Sequence, residues 1–382
     1  MMRSLRSQDI IKESWSSLCV TGIFGLRPFE LCNIKLFGYL YIIIISICYY
    51  GLFYYSMKNS EEIFGELEII SKSINIRKIQ MFLNAFIMPI MIISNIFAYD
   101  KIKNVFVDIH NLDKKLKMFN IQLNYKKYMR KDVVHIFGII MFTILMGLTE
   151  YYSLINDGST YMYDLTWIVN LFPQIINSIA ISTFVVILAK IRRRHSMINN
   201  SIVELKYLKK NEVSTIVSTE INNVFKLKLL REMYEICDNI ALKINNTYGF
   251  ILLMSLALFF IAMCAHLKIV YSTFGLQNDV IDCVVDTMWT CFYFGKFLYI
   301  INACQSYATE GKRASRVLHE YRVDANHHLL KQENESFARQ VGNRDIRINA
   351  CNFVAIDYSL LAKVVLALTA YVFFLSQFSC TK

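Results

Sequence analysis

This sequence carries no G-x-S-x-G elbow, no phosphate-binding glycine loop and no H-E-x-x-H pair. The common serine-hydrolase, nucleotide-hydrolase and zinc-protease readings are thereby removed. Its ten cysteines form no C-x-x-C pair. Most fall in apolar segments or on the side expected to stay reducing, so no disulfide framework is written in it. His319, His327 and His328 lie in a basic segment without Cys or carboxylate at a recognised ligand spacing; no metal and no cofactor is expected. There is no internal repeat, the signature of many transporters. Linkers and low-complexity runs are missing as well, and residues 1–382 are expected to form one domain. No cleavable signal peptide is visible, since Arg3, Arg6, Asp9, Lys12 and Glu13 occupy the first residues. The first span is expected to act as the signal anchor.

What is present is apolar. Hydrophobic residues make up 55% of the chain and the mean hydropathy is +0.37, which excludes an ordinary soluble globular domain. Apolar runs at 34–55, 79–99, 133–155, 165–189, 247–271, 280–304 and 353–378 are each long enough to cross a hydrocarbon core, which takes ~20 residues of helix. Positive charge is nearly absent from every second connection. Segments 56–78, 156–164, 272–279 and 379–382 hold 5 of the 41 Lys and Arg, while 1–33, 100–132, 190–246 and 305–352 hold 32. Basic loops stay in the cytoplasm. The expected fold is therefore an all-α membrane protein with seven transmembrane helices, N-terminus inside and C-terminus outside, the reverse of a G-protein-coupled receptor. The formal net charge of +11 is then topology, with some attraction to anionic inner-leaflet lipid, and not a nucleic-acid footprint. The sequons at Asn199, Asn245 and Asn334 fall on the inner side and are expected to be unused.

The inner segments are long and read as helix. Ile191 to Asn246 contains neither Gly nor Pro, and apolar residues recur at Leu227, Leu230, Met233, Tyr234, Cys237, Ile240, Ala241 and Ile244. That is helical periodicity. The fourth and fifth spans are expected to run on into the cytoplasm, as is the sixth through Gln305–Tyr321. Such extensions would pack against one another or against a second subunit.

Ionisable groups at membrane depth are costly and point to function. Eight fall in the spans: Lys35, Glu150, Lys268, Asp282, Asp286, Lys296, Asp357 and Lys363. Lys35 can snorkel from an inner end, and Asp357 is placed to cap or anchor the last span. On the sixth span Asp282, Asp286, Trp289, Tyr293 and Lys296 share one helical face. Trp167, Asn170, Gln174 and Asn177 make a second polar stripe on the fourth, Glu150 lies near the outer end of the third, and His266 sits on the fifth. Tyr151, Tyr161 and Tyr163 suit an interfacial aromatic belt. Two readings fit the rest. The groups satisfy one another at helix contacts as polar glue, or they line an outer cavity that holds a small molecule. The number of polar groups in the outer halves of four spans favours the cavity.

The C-terminal third, from Phe337, reads FARQVGNRDIRINACNFVAIDYSLLAKVVLALTAYVFFLSQF. It resembles the insect gustatory receptors, whose last span ends in Thr-Tyr, five mostly apolar residues and Gln-Phe. Here Tyr371, Val372 to Ser376, Gln377 and Phe378 match, with Ala370 in place of the Thr. Phe353, the Ile356-Asp357 pair and ACQSYATEGKRA at 303–314 are similar to the family too. So are LLREMYEICDNIALKINNTYGF at 229–250 and, near the N-terminus, Gly25, Pro28 and Phe29. Val372 replaces the Glu typical of the sugar-receptor branch.

The resemblance implies a ligand-gated, nonselective cation channel in the plasma membrane of chemosensory neurons, opened by a small-molecule tastant. It implies a homo- or hetero-tetramer of related subunits, with Na, K and Ca as permeant ions. Four copies of the last helix would surround the pore. Tyr371, Phe374, Gln377 and Phe378 occupy one face of its outer half, and bulky apolar side chains meeting at an axis would block ions by dewetting. The same aromatics would also suit packing against lipid or neighbouring helices. The implied ligand pocket takes Glu150, Trp167, Asn170, Gln174, His266, Asp286, Trp289 and Tyr293 as its candidates. The alternatives are an odorant-receptor-type channel of the same fold and a metabotropic seven-span receptor, which the charge distribution opposes. The orientation is testable. Epitope tags at the N-terminus and in the three basic loops should label only after permeabilisation, and a C-terminal tag on intact cells. Surface labelling of the N-terminal tag would reverse the topology.

Overall fold

A computed structural model of the chain describes residues 8–28, 35–58, 71–121, 123–156, 161–208, 216–273, 280–321, 327–344 and 347–379. Among the described residues there are nine helices and one short hairpin. The helices are α1 (Gln8–Ile23), α2 (Lys35–Lys58), α3 (Ser71–Met118), α4 (Tyr125–Asn156), α5 (Tyr161–Leu208), α6 (Ile216–Thr273), α7 (Val280–Glu320), α8 (His328–Gly342) and α9 (Tyr358–Ser379). The hairpin strands are β1 (Asn349–Ala350) and β2 (Val354–Ala355). Six helices, α2, α3, α4, α5, α6 and α9, are long and apolar enough to cross a membrane. The predicted sixth span lies in α7, which Asp286 and Lys296 make more polar along its first half.

The expected extensions are continuous with their spans. With no Gly or Pro between Ile191 and Asn246 to stop them, α5 runs 48 residues and α6 runs 58. All eight apolar positions read as a stripe between Leu227 and Ile244 are buried. The hub is α5, which packs against α1, α2, α3, α4, α6 and α7; 89% of its apolar window is buried. At the opposite extreme stands α9, packed on α6 and α7, with 6% of its window buried.

Two boundaries differ from expectation. The N-terminal tail forms a helix, α1, packed on α4 and α5. The last span starts at Tyr358 rather than 353, because the preceding residues turn back. Asn349 pairs with Ala355 and Ala350 with Val354, and Cys351 and Asn352 take positive φ in the turn between them, as tight hairpin turns require. This hairpin lies directly on α6. A Cβ added at Gly249 would stand 3.0 Å from the Cys351 backbone nitrogen, and the Asn349 N–H donates to Asn245 Oδ1 at 2.8 Å. Asp357 then caps α9, accepting from the N–H groups of Ser359 and Leu360 at 2.9 and 3.1 Å. The three sequon asparagines, Asn199, Asn245 and Asn334, are all buried and hydrogen-bonded. Burial alone therefore keeps them from a glycosyl transferase in the folded chain, whichever side they face.

Charge is concentrated and buried at the basic end. Arg194 of α5 donates to Asp113 of α3 at 2.7 and 2.8 Å and to Glu13 of α1 at 3.2 Å. Lys190 lies 3.0 Å from Asp132 of α4 and 3.4 Å from Glu13, and Arg193 pairs with Asp132 at 2.9 Å. Three carboxylates thus balance three cations. Burial alone would push the Glu13 carboxyl up, but Arg194 and Lys190 beside it outweigh that and hold it below the usual carboxylate range.

Prolines sit inside two of the apolar helices, Pro89 in α3 and Pro173 in α5. Each removes the N–H that would bond the carbonyl four residues back, namely Ala85 and Val169. Adjacent tyrosines of α2 take over both. Tyr50 Oη donates to the Ala85 carbonyl at 3.0 Å, and Tyr49 Oη to that of Val169 at 3.3 Å. Tyr49→Phe and Tyr50→Phe should each lower stability by about 1–3 kcal/mol, the cost of an unsatisfied buried acceptor, read as a lower midpoint of thermal unfolding in detergent. Midpoints equal to that of the parent protein in both variants would mean that the carbonyls are satisfied otherwise.

Candidate functional site

The polar face read on the sixth span is buried in the structure. Asp286, Trp289, Tyr293 and Lys296 project from α7 into the bundle, held by α3, α5 and α6. The side chain of Asp282 lies outside the described residues. From α5 come Asn170, Gln174 and Asn177, all buried; from α4, half-buried Glu150; from α6, His266. Lys268, two residues on, faces outward.

These groups form one hydrogen-bonded chain. Asn170 Nδ2 donates to Glu150 Oε1 at 2.9 Å. Asn84 Nδ2 donates to Asn170 Oδ1 at 2.5 Å, and Gln174 Nε2 to Asn84 Oδ1 at 2.7 Å. Gln174 Nε2 also reaches Tyr293 Oη at 2.8 Å, which accepts from Gln80 Nε2 at 3.4 Å. Lys296 Nζ closes the line, 3.4 Å from Gln174 Oε1 and 4.3 Å from the Phe292 ring centroid. The carboxylate at one end and the ammonium at the other are thus joined through neutral amides from two helices, α3 and α5. Asn177 bonds separately, to Ser255 Oγ of α6 at 3.2 Å.

Tyr293 also belongs to an aromatic cluster. His266 stacks on Trp289 and Tyr293 with ring centroids 6.1 and 5.7 Å away, and its Nδ1 lies 2.7 Å from Asp286 Oδ1. Three polar atoms of this cluster, Trp289 Nε1, His266 Nε2 and Asp286 Oδ2, are buried without a hydrogen-bond partner. A buried unpaired group costs about 1–3 kcal/mol. Donor, imidazole and carboxylate oxygen in one stack therefore suit a small molecule that carries a hydroxyl or carbonyl beside an apolar body.

Seven of the eight pocket candidates are brought together this way. Trp167 is not. Its Nε1 donates to the Gly147 carbonyl at 2.6 Å and its ring packs on Tyr151, so it joins α4 to α5. A Cβ on Gly147 would stand 2.6 Å from Leu171, which shows how close those helices come. Tyr151 donates to Asp164 at 2.8 Å, a local pairing. Gln80 and Asn84 were missed by the sequence reading. Their four-residue spacing on the second span was the available signal.

The last-helix residues lie outside this network. Tyr371 is half-buried, and Phe374 and Gln377 are exposed; the side chain of Phe378 lies outside the described residues. Two hydroxyls along α9 bond their own helix, Thr369 to the Val365 carbonyl and Ser376 to that of Phe373.

Comparison with known proteins adds three findings. A profile of the 7tm Chemosensory receptor family matches residues 19–382. The Drosophila melanogaster gustatory receptor for sugar taste 43a is 22% identical over 166 residues, a match spanning 42% of this chain and 38% of that receptor. The fold is similar to that of the insect olfactory receptor OR5 from Machilis hrabei, with a TM-score of 0.63 and 13% identity, covering 95% of this chain and 96% of OR5. The structure of OR5 in complex with eugenol gives a TM-score of 0.62 at 12% identity, covering 96% and 97% of the two chains.

Proposed function

The chain belongs to the 7tm chemosensory receptor family, and from that premise we propose that it is a gustatory receptor working as a ligand-gated, nonselective cation channel opened by a small-molecule tastant. It is a multi-pass membrane protein of a receptor family, not of an enzyme family. In this reading it sits in the plasma membrane with its N-terminus inside, as a homo- or hetero-tetramer of related subunits. Sodium, potassium and calcium are the permeant ions.

The ligand half of the reading is supported by the cluster of His266, Asp286, Trp289 and Tyr293. Its unpaired buried atoms gain partners from a ligand. Its stacked rings bury an apolar ligand body, and the eugenol complex of OR5 is a precedent for a small molecule in this fold. The amide chain from Glu150 to Lys296 ties α3, α4, α5 and α7 together at the same depth. A ligand that re-orients Tyr293 thereby acts on four helices at once.

The observation that carries the channel half is α9. Mean hydropathy over its apolar window is 2.0, yet only 6% of that window is buried. Copies of α9 meeting at a shared axis would cover part of this surface. Tyr371, Phe374, Gln377 and Phe378 would line it, with the aromatics closing the path by dewetting and the Gln377 amides admitting water when the helices spread.

Expression in oocytes with a panel of tastants and current recording tests both halves. Trp289→Ala should raise the half-activating concentration roughly tenfold, from ~1–3 kcal/mol of lost burial, with surface expression unchanged. Unchanged dose-response curves for Trp289→Ala and Tyr293→Ala would move the ligand elsewhere. Gln377→Glu should place a ring of carboxylates in the pore, strengthening divalent block and cation selectivity. Block and selectivity identical to those of the parent channel would remove α9 from the pore.

A further inference from the structure

A cavity of about 490 Å³ opens at the basic end, where α5, α7 and the first residue of α9 meet. It plays no part in the ligand site or the pore. Its position is specific. The fourth span is expected to end at 189 and the sixth at 304, and α9 begins at Tyr358. The wall is made of the residues just past those ends: Arg192, Arg193 and Ser196 from α5, and Gln305, Ser306 and Thr309 from α7. Three span ends at one level mark the headgroup layer of a bilayer, on the side where Lys and Arg concentrate and where anionic lipid is found. Tyr358, also in the wall and half exposed at 51%, is a side chain suited to that layer.

The chemistry of the wall fits phosphate. Arg193 is committed, pairing with Asp132 at 2.9 Å and covering the Tyr128 ring at 4.8 Å. Arg192, its neighbour, is exposed and among the described residues has no acidic partner. The carboxylate in the wall, Glu310, is already answered by Arg313 Nη1 at 3.2 Å and Asn199 Nδ2 at 2.9 Å. The Arg192 guanidinium, the Arg193 guanidinium behind it and the Ser196 hydroxyl are donors of the kind that bind phosphate oxygens. The Ser306 and Thr309 hydroxyls, which donate to Asn302 Oδ1 at 3.5 Å and to the Gln305 carbonyl at 2.8 Å, join them by rotating about χ1. The cavity is large for a single phosphate and roomy enough for a sugar-phosphate headgroup.

We propose that this cavity binds the phosphate-bearing headgroup of an anionic phospholipid of the inner leaflet, with Arg192 as its principal cation. The acyl chains then lie along the apolar surfaces of α7 and α9. Bound there, the lipid touches the first residue of α9 and the extensions of α5 and α7 together, so the occupied site fastens the base of the last helix to the rest of the subunit.

The test uses the purified full-length protein in detergent and short-chain dioctanoyl phosphatidylinositol bisphosphate, with binding followed by thermophoresis. Saturable binding is expected, with none for dioctanoyl phosphatidylcholine. Arg192→Gln should weaken it roughly tenfold, the loss of one charge-assisted contact. Thr309→Leu, which narrows the cavity without changing charge, should weaken it as well. The charge-matched control Lys228→Gln, on an exposed part of α6 away from the cavity, should leave it unchanged. Equal weakening by Lys228→Gln would reduce the effect to net charge and overturn the proposal, as would an Arg192→Gln variant that binds normally. Inositol trisphosphate, which has the headgroup without the tails, separates the sources. Binding as tight as that of the lipid would make the ligand a soluble phosphate and overturn the lipid assignment, and no saturable binding of either would overturn the site.

Discussion

Inside an apolar layer there is no water to complete a hydrogen bond, so every polar group there must find its partner in the protein. This constraint organises the structure at both of its polar levels. The carbonyls freed by Pro89 and Pro173 receive the hydroxyls of Tyr50 and Tyr49. The amides of Asn84, Asn170 and Gln174 pass one chain of hydrogen bonds between a carboxylate and an ammonium. Each missing partner costs about 1–3 kcal/mol, against a typical net stability of about 5–15 kcal/mol. A few orphans are tolerable and many are not. Asn177 Oδ1 and the Tyr248 hydroxyl are single orphans, whereas Trp289 Nε1, His266 Nε2 and Asp286 Oδ2 lie together in one stack. This stack is where three such atoms from adjacent side chains stand unpaired together.

The basic end follows a different rule. Glu13, Asp113 and Asp132 meet Lys190, Arg193 and Arg194 with both signs buried. Such a set adds little net stability over apolar packing, because desolvation offsets most of the attraction, yet losing one member leaves a bare buried charge. Its effect is specificity. It fixes α1, α3 and α4 to α5 in one register, and α5 is the helix that nearly every other helix touches. Arg194 and Lys190 hold the Glu13 carboxyl below its ordinary range despite its burial, so Glu13 stays charged at neutral pH. A group held below its unfolded value contributes stability that is lost as the pH falls through the folded value, so the contribution of Glu13 fades below the ordinary carboxylate range.

The sequence made local periodicity legible and long-range pairing illegible. The stripe from Leu227 to Ile244 and the α7 face from Asp286 to Lys296 could be read because helical spacing alone puts those residues on one side. The unbroken α5, α6 and α7 follow from the scarcity of Gly and Pro beyond the spans. Charge drew attention to Glu150, Asp286 and Lys296, whereas Gln80 and Asn84 are neutral and passed unnoticed, although they complete the same network. Trp167 had the right spacing and the wrong partner, since only the tertiary fold shows the Gly147 carbonyl within its reach. The late start of α9 depends on a hairpin lying against Gly249, a contact between residues about a hundred positions apart. The buried ion set joins Glu13 to Arg194 across 181 positions, which no window of sequence displays.

The tyrosines of α2 have a bearing on how the chain is assembled. Proteins emerge from the ribosome N-terminus first, and α2 precedes both proline-bearing helices. When α3 enters the bilayer with its open Ala85 carbonyl, the donor Tyr50 is already in place. Tyr49, its neighbour, is held ready for Val169, which arrives more than a hundred residues later. Neither interrupted helix has to wait unsatisfied for a partner still to be made, and the order of synthesis is also an order in which each carbonyl can be answered on arrival.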